Sequence, residues 1–227
     1  MTTKVDSMSA RTPIKVCGLT REQDVDAAIA AGVDAIGFVR YPPSPRYVSA
    51  ERAAELASRL PPFITPVLLF VNADPDDIAA TAAGVPGAVL QFHGDETPEQ
   101  CWISSGHGAL SYLRAARIPL DPDAQRPDLD QFARDHARAR ALLLDAHVTG
   151  YGGGGKSFDW SLLPDRIDAH VVLSGGLTAD NVGAGIAALR PRCRTLAVDV
   201  SSGVESSKGI KDEQKIIDFV AAVGEAS

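Results

Sequence analysis

Three features of the sequence predict a single (β/α)8 barrel, the TIM-barrel class of α/β fold. Short apolar runs rich in β-branched residues recur along the chain, and a segment with helical spacing follows each run. About eight such strand–helix units follow one another without a linker. The chain has 227 residues, a length that is common for one barrel. Alternating strands and helices favour a parallel sheet covered by helices, and eight units favour its closure into a barrel.

The expected strands are short, apolar and spread over the whole chain. They are residues 14–17, 35–39, 66–71, 88–93, 110–115, 141–145, 171–174 and 195–200. The first helix is expected to begin at the N-cap Thr20 and to end at the C-cap Gly32. Asp74-Pro75 and Thr97-Pro98 open the third and fourth helices in the usual cap-then-proline order. The second helix and the last four are expected near 49–60, 129–138, 160–163, 178–189 and 212–223.

The ends of the chain and its fifth unit are the less regular parts of the pattern. Residues 1–13 precede the first strand and are expected to form a disordered tail, which leaves 14–227 as one catalytic barrel domain. In the fifth unit, a polar loop is expected at 119–127. A doubly wound open sheet is the competing fold, but it would usually place a glycine-rich fingerprint after the first strand. Cys-Gly-Leu-Thr stands there instead, at 17–20.

Composition limits the possible partners and compartments. The net charge of −7 argues against a nucleic-acid or anionic-membrane surface, whereas 45% hydrophobic residues suffice for a large core. Three cysteines without a CxxC pair favour a reducing compartment. The N-terminal residues contain no apolar signal-like stretch, and the apolar run at 66–71 is too short to cross a bilayer. We therefore expect a cytoplasmic protein that binds neither nucleic acid nor membrane.

Catalytic groups of a barrel lie at the C-terminal ends of its strands and in the loops that follow. Cys17 ends the first strand, and Lys15, two residues earlier, faces the same side. A thiol acts as a base only if its surroundings lower its pKa towards neutral, and a lone cysteine is more often a small buried apolar residue. Asp145 and Asp199 end two further strands, where a carboxylate either caps a loop or serves as an acid. His93 ends the fourth strand.

Two glycine-containing loops follow the seventh and eighth strands, where barrels commonly bind phosphate. The first contains Gly175 and Gly176, and the second contains Ser202 and Gly203. Glycines let backbone N–H groups approach phosphate oxygens, although the same residues also suit a tight turn and a capped helix. These four residues are therefore the predicted phosphate site.

Two other loops contain features that suit substrate binding. Arg46 lies in a proline-rich loop after the second strand, which could present its guanidinium to a carboxylate, although a solvated surface arginine is the common case. The glycine-rich segment 150–160 follows the sixth strand. It is either a flexible connector or a lid over the ligand.

Taken together, these motifs resemble the phosphoribosylanthranilate isomerase family. The matching stretches span residues 14–212 in the family's order and, as a set, are highly specific. They are Lys-Val-Cys-Gly-Leu-Thr at 15–20, Gly-Phe at 37–38, Ser-Pro-Arg at 44–46, Gln-Phe-His-Gly at 91–94, Leu-Asp at 144–145, Ser-Gly-Gly-Leu at 174–177 and Asp-Val-Ser-Ser-Gly-Val-Glu at 199–205.

The resemblance implies an Amadori rearrangement of N-(5-phosphoribosyl)anthranilate in tryptophan biosynthesis, with no cofactor and no metal. It implies that Asp145 is the general acid and Cys17 the general base. Arg46 would bind the anthranilate carboxylate, and His93 and Asp199 would lie beside the substrate. Departures from the family pattern are Phe92, where leucine is usual, and Arg40, where an apolar residue is usual. The implied partner is a small phosphosugar, and the chain would be a monomer or a homodimer.

Three other functions remain possible at this point. A histidine-pathway or bifunctional phosphoribosyl isomerase would use the same chemistry, but that family resembles two half-barrels and has an aspartate in place of Cys17. A metal-dependent barrel hydrolase would need clustered ligands such as an HxH pair, and the five histidines include none. In a non-catalytic phosphosugar-binding barrel, Cys17 and Asp145 would be structural.

Overall fold

The computed structural model of the chain is a closed barrel of eight parallel strands, as predicted. It describes residues 11–121, 124–125, 127–147, 157 and 159–227. Each strand pairs with its neighbours in sequence order, and β1 closes the barrel against β8. The strands are β1 Ile14–Cys17, β2 Ala35–Val39, β3 Thr65–Phe70, β4 Val89–Phe92, β5 Tyr112–Pro119, β6 Ala141–His147, β7 Ile167–Leu173 and β8 Cys193–Val200.

An α-helix follows each strand and covers the barrel, except after β6, where the described chain has the 3-10 turn Trp160–Leu162 instead. Apolar faces of strands and helices form one large buried core, so the sheet is covered on its outer side. A short hairpin, β9 Glu205–Ser207 with β10 Ile210–Lys211, follows β8. The helices are α1 Glu22–Ala31, α2 Ala50–Ala57, α3 Pro75–Ala83, α4 Pro98–Ser104, α5 Leu129–Asp135, α6 Ala179–Leu189 and α7 Glu213–Glu225.

Local sequence signals account for most of the helix ends. Asp74 and Thr97 cap α3 and α4 with their side chains, and a proline begins each helix, as predicted. Gly32 ends α1 at a φ of 82°, which a residue with a side chain rarely adopts. The predicted N-cap Thr20 is wrong, because Arg21 precedes α1 and the Thr20 hydroxyl donates to the Gly209 carbonyl instead.

The fifth strand was placed wrongly by the sequence pattern. It runs from Tyr112 to Pro119 rather than over 110–115, so the predicted polar loop begins later. Arg114 lies inside this strand and is buried, and its guanidinium donates to the carbonyls of Phe92, Gly94 and Ala115. These hydrogen bonds compensate for burying the charge inside the strand.

The N-terminal boundary also differs from the expected one. Thr12 is buried, and its backbone N–H donates to the Ser227 hydroxyl. The Pro13 carbonyl accepts from Val198 in β8. Residues 11–13 therefore belong to the barrel and not to a disordered tail, whereas the expectation for 1–10 lies outside the described residues.

Candidate active site

A pocket of about 710 Å³, including its open mouth, lies at the C-terminal ends of the strands. Eight of the nine predicted site residues line it: Cys17, Arg46, His93, Asp145, Gly175, Gly176, Asp199 and Ser202. Barrel closure explains this convergence, because parallel strands bring their carboxyl ends to one face.

Cys17 is buried at the end of β1, beside a buried ammonium group. Lys15 Nζ lies 2.9 Å from Asp199 Oδ1, and the register of β1 with β8 places these two residues side by side. Gly37 on β2 leaves room for both groups. A Cβ there would lie 2.7 Å from Cys17 Sγ and 3.1 Å from Lys15 Nζ. The thiol and the ammonium therefore share one small space.

The charges around Cys17 act on its pKa in opposite directions. Burial and the Asp199 carboxylate raise the pKa of the Cys17 thiol, whereas Lys15 and Lys211 lower it. The net shift of the Cys17 pKa is upward. The sequence argument required a thiol pKa lowered towards neutral, and the structure does not show one. Burial also works against the charge of Lys15, but attraction to Asp199 and Cys17 outweighs it and raises the lysine pKa. The lysine is thus a stable cation beside the thiol.

Asp145 is buried at the C-terminal part of β6 and is joined to β4 by hydrogen bonds. Asp145 Oδ2 lies 3.0 Å from His93 Nε2, and His93 Nδ1 lies 2.9 Å from Gln91 Nε2. Sequence reasoning assigned no role to Gln91, which belongs to the matching stretch at 91–94. The available signal was its spacing, since residues two apart on a strand face the same side.

Arg46 is held by a second carboxylate. Its Nε and Nη2 lie 2.7 and 2.8 Å from the two carboxylate oxygens of Glu205, which also accepts from Lys211 Nζ at 3.0 Å. Burial acts to raise the pKa of Glu205, but hydrogen bonds and attraction from Arg46 and Lys211 lower it below its ordinary value. A ligand carboxylate would therefore meet the remaining guanidinium N–H groups of Arg46. Sequence reasoning assigned no role to Glu205 or Lys211.

The two glycine loops touch each other on the same face as Cys17 and Asp145. Gly175 and Gly176 have φ of 80° and 65°, and a Cβ on Gly175 would overlap the backbone nitrogen of Ala146. A Cβ on Gly203 would overlap the carbonyl oxygen of Leu177 in the loop after β7. Gly203 does not line the pocket but lets the second loop lie against the first. A 3-10 turn, Ser202–Val204, starts at this point.

The structure shows the contacts of the two residues, Arg40 and Phe92, that depart from the family pattern. Arg40 is buried and donates to the Tyr47 hydroxyl, the Val48 carbonyl and Asp77, so it fastens the loop after β2 to α3. Phe92 is buried and packs edge-on against Tyr112. Both residues are buried, and neither lines the pocket.

Some expectations about the site fall wholly or partly outside the described residues. The predicted lid at 150–160 does so for 150–156 and 158. Within the described ranges, no cluster of three or more histidine, cysteine or acidic side chains could hold a metal ion. No helix in those ranges is long and apolar enough to cross a membrane.

A closed (β/α)8 barrel with buried cysteine, histidine and aspartate side chains in one pocket at its C-terminal face has the architecture of a barrel enzyme. Comparison with known proteins identifies the family. Residues 14–222 match the model for N-(5'phosphoribosyl)anthranilate (PRA) isomerase. The curated N-(5'-phosphoribosyl)anthranilate isomerase of Dechloromonas aromatica is 57% identical over 218 residues, which are 95% of this chain and 98% of the relative.

Solved structures agree. Phosphoribosyl anthranilate isomerase from Thermotoga maritima matches with a TM-score of 0.77 at 38% identity, over 94% of this chain and 99% of that one. A phosphoribosyl anthranilate isomerase in complex with reduced 1-(o-carboxyphenylamino)-1-deoxyribulose 5-phosphate matches with a TM-score of 0.74 at 35% identity, over 94% and 99%. The chain belongs to the phosphoribosylanthranilate isomerase family, and it is an isomerase of tryptophan biosynthesis.

Proposed function

We propose that this chain converts N-(5-phosphoribosyl)anthranilate into 1-(2-carboxyphenylamino)-1-deoxyribulose 5-phosphate with Asp145 as acid and Cys17 as base. The observation that carries this assignment is that Cys17, the last residue of β1, and Asp145, near the C-terminal end of β6, line one pocket. The pocket also provides a place for each charged end of the substrate. Arg46 lies at one part of its lining, and the two glycine loops form another.

The first step opens the sugar ring. Asp145 donates a proton to the furanose ring oxygen, the bond from that oxygen to C1′ breaks, and the amine lone pair forms the C1′–N double bond. The product is a protonated Schiff base with a free sugar hydroxyl. Proton transfer from a positioned acid at this step contributes about 10²–10⁴-fold to a rate.

The second step moves the double bond. The Cys17 thiolate removes the C2′ proton, and the electron pair of that C–H bond forms an enolamine that neutralises the iminium nitrogen. The enolamine then becomes the ketone as C1′ gains a proton and the C2′ hydroxyl loses one. Since burial raises the pKa of Cys17, its thiolate depends on the neighbouring Lys15 ammonium.

Substrate binding uses the other predicted residues. Arg46 would hold the anthranilate carboxylate with the N–H groups that Glu205 leaves free. Backbone N–H groups of the two loops would hold the phosphate, where the start of a short helix adds a favourable dipole. These loop residues are Gly175, Gly176, Ser202 and Gly203. His93 and Asp199 would contact the sugar.

A turnover assay with phosphoribosylanthranilate in the presence of EDTA tests this function. We expect full activity with chelator and none that depends on added zinc, because the proposed steps use only side chains. The histidine-pathway substrate is assayed in parallel, and turnover of it would make the enzyme bifunctional. A folded protein that binds the substrate without turning it over would instead be a phosphosugar-binding barrel.

Location and assembly complete the proposal. A biosynthetic enzyme with three free cysteines suits the reducing cytoplasm. The expectation of a monomer or a homodimer stays a prediction, which sedimentation equilibrium can decide.

A further inference from the structure

Gln91 is a fully buried amide in the wall of the pocket. Its Nε2 lies 2.9 Å from His93 Nδ1, and its Oε1 has no hydrogen-bond partner within the described part of the chain. A buried polar side chain is usually satisfied at all its positions. Retaining one that is half satisfied, beside the acid of the reaction, indicates a role in the site.

The chemistry of the three side chains gives their hydrogen bonds a direction. An amide nitrogen only donates, so His93 Nδ1 must accept and cannot carry a proton. The neutral imidazole therefore carries its proton on Nε2, which donates to Asp145 Oδ2 at 3.0 Å. Donors and acceptors then follow in order from Gln91 through His93 to Asp145.

We propose that Gln91 is a positioning residue that selects the Nε2–H tautomer of His93 and thereby keeps the transferable proton of Asp145 on Oδ1. This inference rests on the proposed role of Asp145 as the acid. Because Oδ2 accepts from His93, the proton of the carboxylic acid is left to Oδ1. This oxygen faces the loop after β7, since a Cβ on Gly175 would lie 3.0 Å from it. That loop lines the pocket in which the substrate would lie.

The opposite tautomer would misplace the proton. If the amide presented Oε1 to His93, Nδ1 would carry the proton and Nε2 would become an acceptor. The Asp145 proton would then point at Nε2, away from the sugar. The Gln91 orientation thus favours a proton that the substrate can receive, and the His93 N–H remains to stabilise the carboxylate after transfer.

The direct test is the protonation state of the two ring nitrogens of His93. Protein labelled with ¹⁵N-histidine is examined by NMR, and the His93 signals among the five histidines are assigned by their loss in His93→Asn. We expect a protonated Nε2 and an unprotonated Nδ1. In Gln91→Glu the new carboxylate accepts a hydrogen bond, so Nδ1 should become protonated. A wild-type ring protonated at Nδ1, or one that Gln91→Glu leaves unchanged, would overturn the proposal.

Kinetics of the same variants give the second readout. Gln91→Glu should lower kcat by about 10-fold or more, part of the effect of losing the acid, with little change in KM. Gln91→Met keeps the volume without the donor and carries the test if the glutamate variant does not fold. The matched control is Gln23→Glu at an exposed position on α1, which should keep wild-type kinetics. Wild-type kcat in a folded Gln91→Met protein contradicts the proposal.

Turnover by Asp145→Asn, set beside the His93 tautomer, separates this inference from the function on which it rests. If Asp145→Asn retains turnover, the acid assignment fails whatever the tautomer of His93. If Asp145→Asn is inactive but the tautomer is wrong, only the role of Gln91 fails.

Discussion

The side of the pocket that holds Cys17 and the side that holds Asp145 surround their reacting groups with different neighbours. Around Cys17, the buried ammonium groups of Lys15 and Lys211 both act to stabilise a negative thiolate. Asp145 Oδ2 instead lies 3.0 Å from Nε2 of His93, an imidazole whose other nitrogen faces an uncharged amide. Two ammonium groups thus oppose the raised pKa of Cys17, whereas Asp145 faces a hydrogen-bonding imidazole.

This difference matches what the two groups must do. A base has to lose its proton before the reaction, and nearby cations favour that state. An acid has to hold its proton until the substrate takes it, and a cation close to it would remove the proton too early. Two similar barrel positions thus acquire opposite roles through their neighbours.

The largest expected effect comes from removing either reacting group. Cys17→Ser and Asp145→Asn should each lower kcat by about 10²–10⁴-fold with much smaller changes in binding. Cys193→Ser and Asp168→Asn are the matched controls, because these residues lie at the N-terminal ends of strands β8 and β7, away from the pocket. Both variants should convert the substrate at the normal rate. Near-native turnover in a folded Cys17 or Asp145 variant would remove that residue from the mechanism.

The carboxylate beside Arg46 should contribute mainly to stability. Glu205→Gln leaves buried cations without their counter-charge, which should cost about 3–5 kcal/mol of unfolding free energy in urea denaturation. Glu225→Gln, exposed on α7, should change it by less than about 0.5 kcal/mol. An equal effect of both substitutions would show that the buried pair of Glu205 and Arg46 adds nothing to the free energy of unfolding.

The same pair should make stability depend on pH. The folded-state pKa of Glu205 is lowered, so its stabilisation is complete above the ordinary value of 4.5 and is lost as pH falls through the folded value. Wild-type protein should therefore lose stability in acid more steeply than Glu205→Gln. If wild type and Glu205→Gln lose the same unfolding free energy as pH falls, this reading is contradicted.

The phosphate loops should affect binding more than chemistry. Valine at Gly176 or Gly203 should raise KM by roughly 10- to 100-fold, the loss of one or two hydrogen bonds to a charged group, and lower kcat less. Gly224→Ala on α7, where a Cβ meets nothing within 4 Å, is the control. If kcat falls and KM does not, these loops act in the chemical step.

The smallest expected effect is that of the lysine beside the thiol. Lys15→Met removes the group that opposes the raised pKa of Cys17, so the thiolate fraction at a given pH should fall. Alkylation of Cys17 and kcat/KM should both drop about 10-fold, corresponding to a pKa rise of about one unit. Both rates should recover as pH is raised, because the thiolate fraction increases with pH.

Controls for this variant must separate charge from folding. Lys208→Met removes an exposed ammonium and should leave both rates unchanged. The double variant Lys15→Met with Asp199→Asn avoids an unpaired buried carboxylate and should be alkylated more slowly than wild type but faster than Lys15→Met, because Asp199 itself raises the pKa of Cys17. Unchanged alkylation in both Lys15 variants would mean that Lys15 does not support the thiolate.

Strand order was readable from the sequence, and with it much of the site. Apolar runs that end in Cys17, Asp145 or Asp199 mark the catalytic face, because a buried strand rarely contains other polar residues. The fifth strand was predicted to end at Ala115, but it continues to Pro119, and Arg117 within that extension gives no apolar signal.

The pairings inside the site could not be predicted in the same way. Arg46 and Glu205 are 159 residues apart, and Lys15 and Asp199 are 184 apart. Such contacts depend on how loops fold over the closed barrel, which local spacing does not determine. The direction of the Cys17 pKa shift was likewise hidden, because it depends on how completely the thiol is buried.

The most direct test of the assignment of acid and base is a kinetic isotope effect with substrate deuterated at C2′, measured in single turnovers. Cys17→Ser slows removal of the C2′ proton and should show a full primary isotope effect. Asp145→Asn slows the earlier ring opening and should show an effect close to one. A full isotope effect in Asp145→Asn, with none in Cys17→Ser, would contradict the account and reverse the two roles.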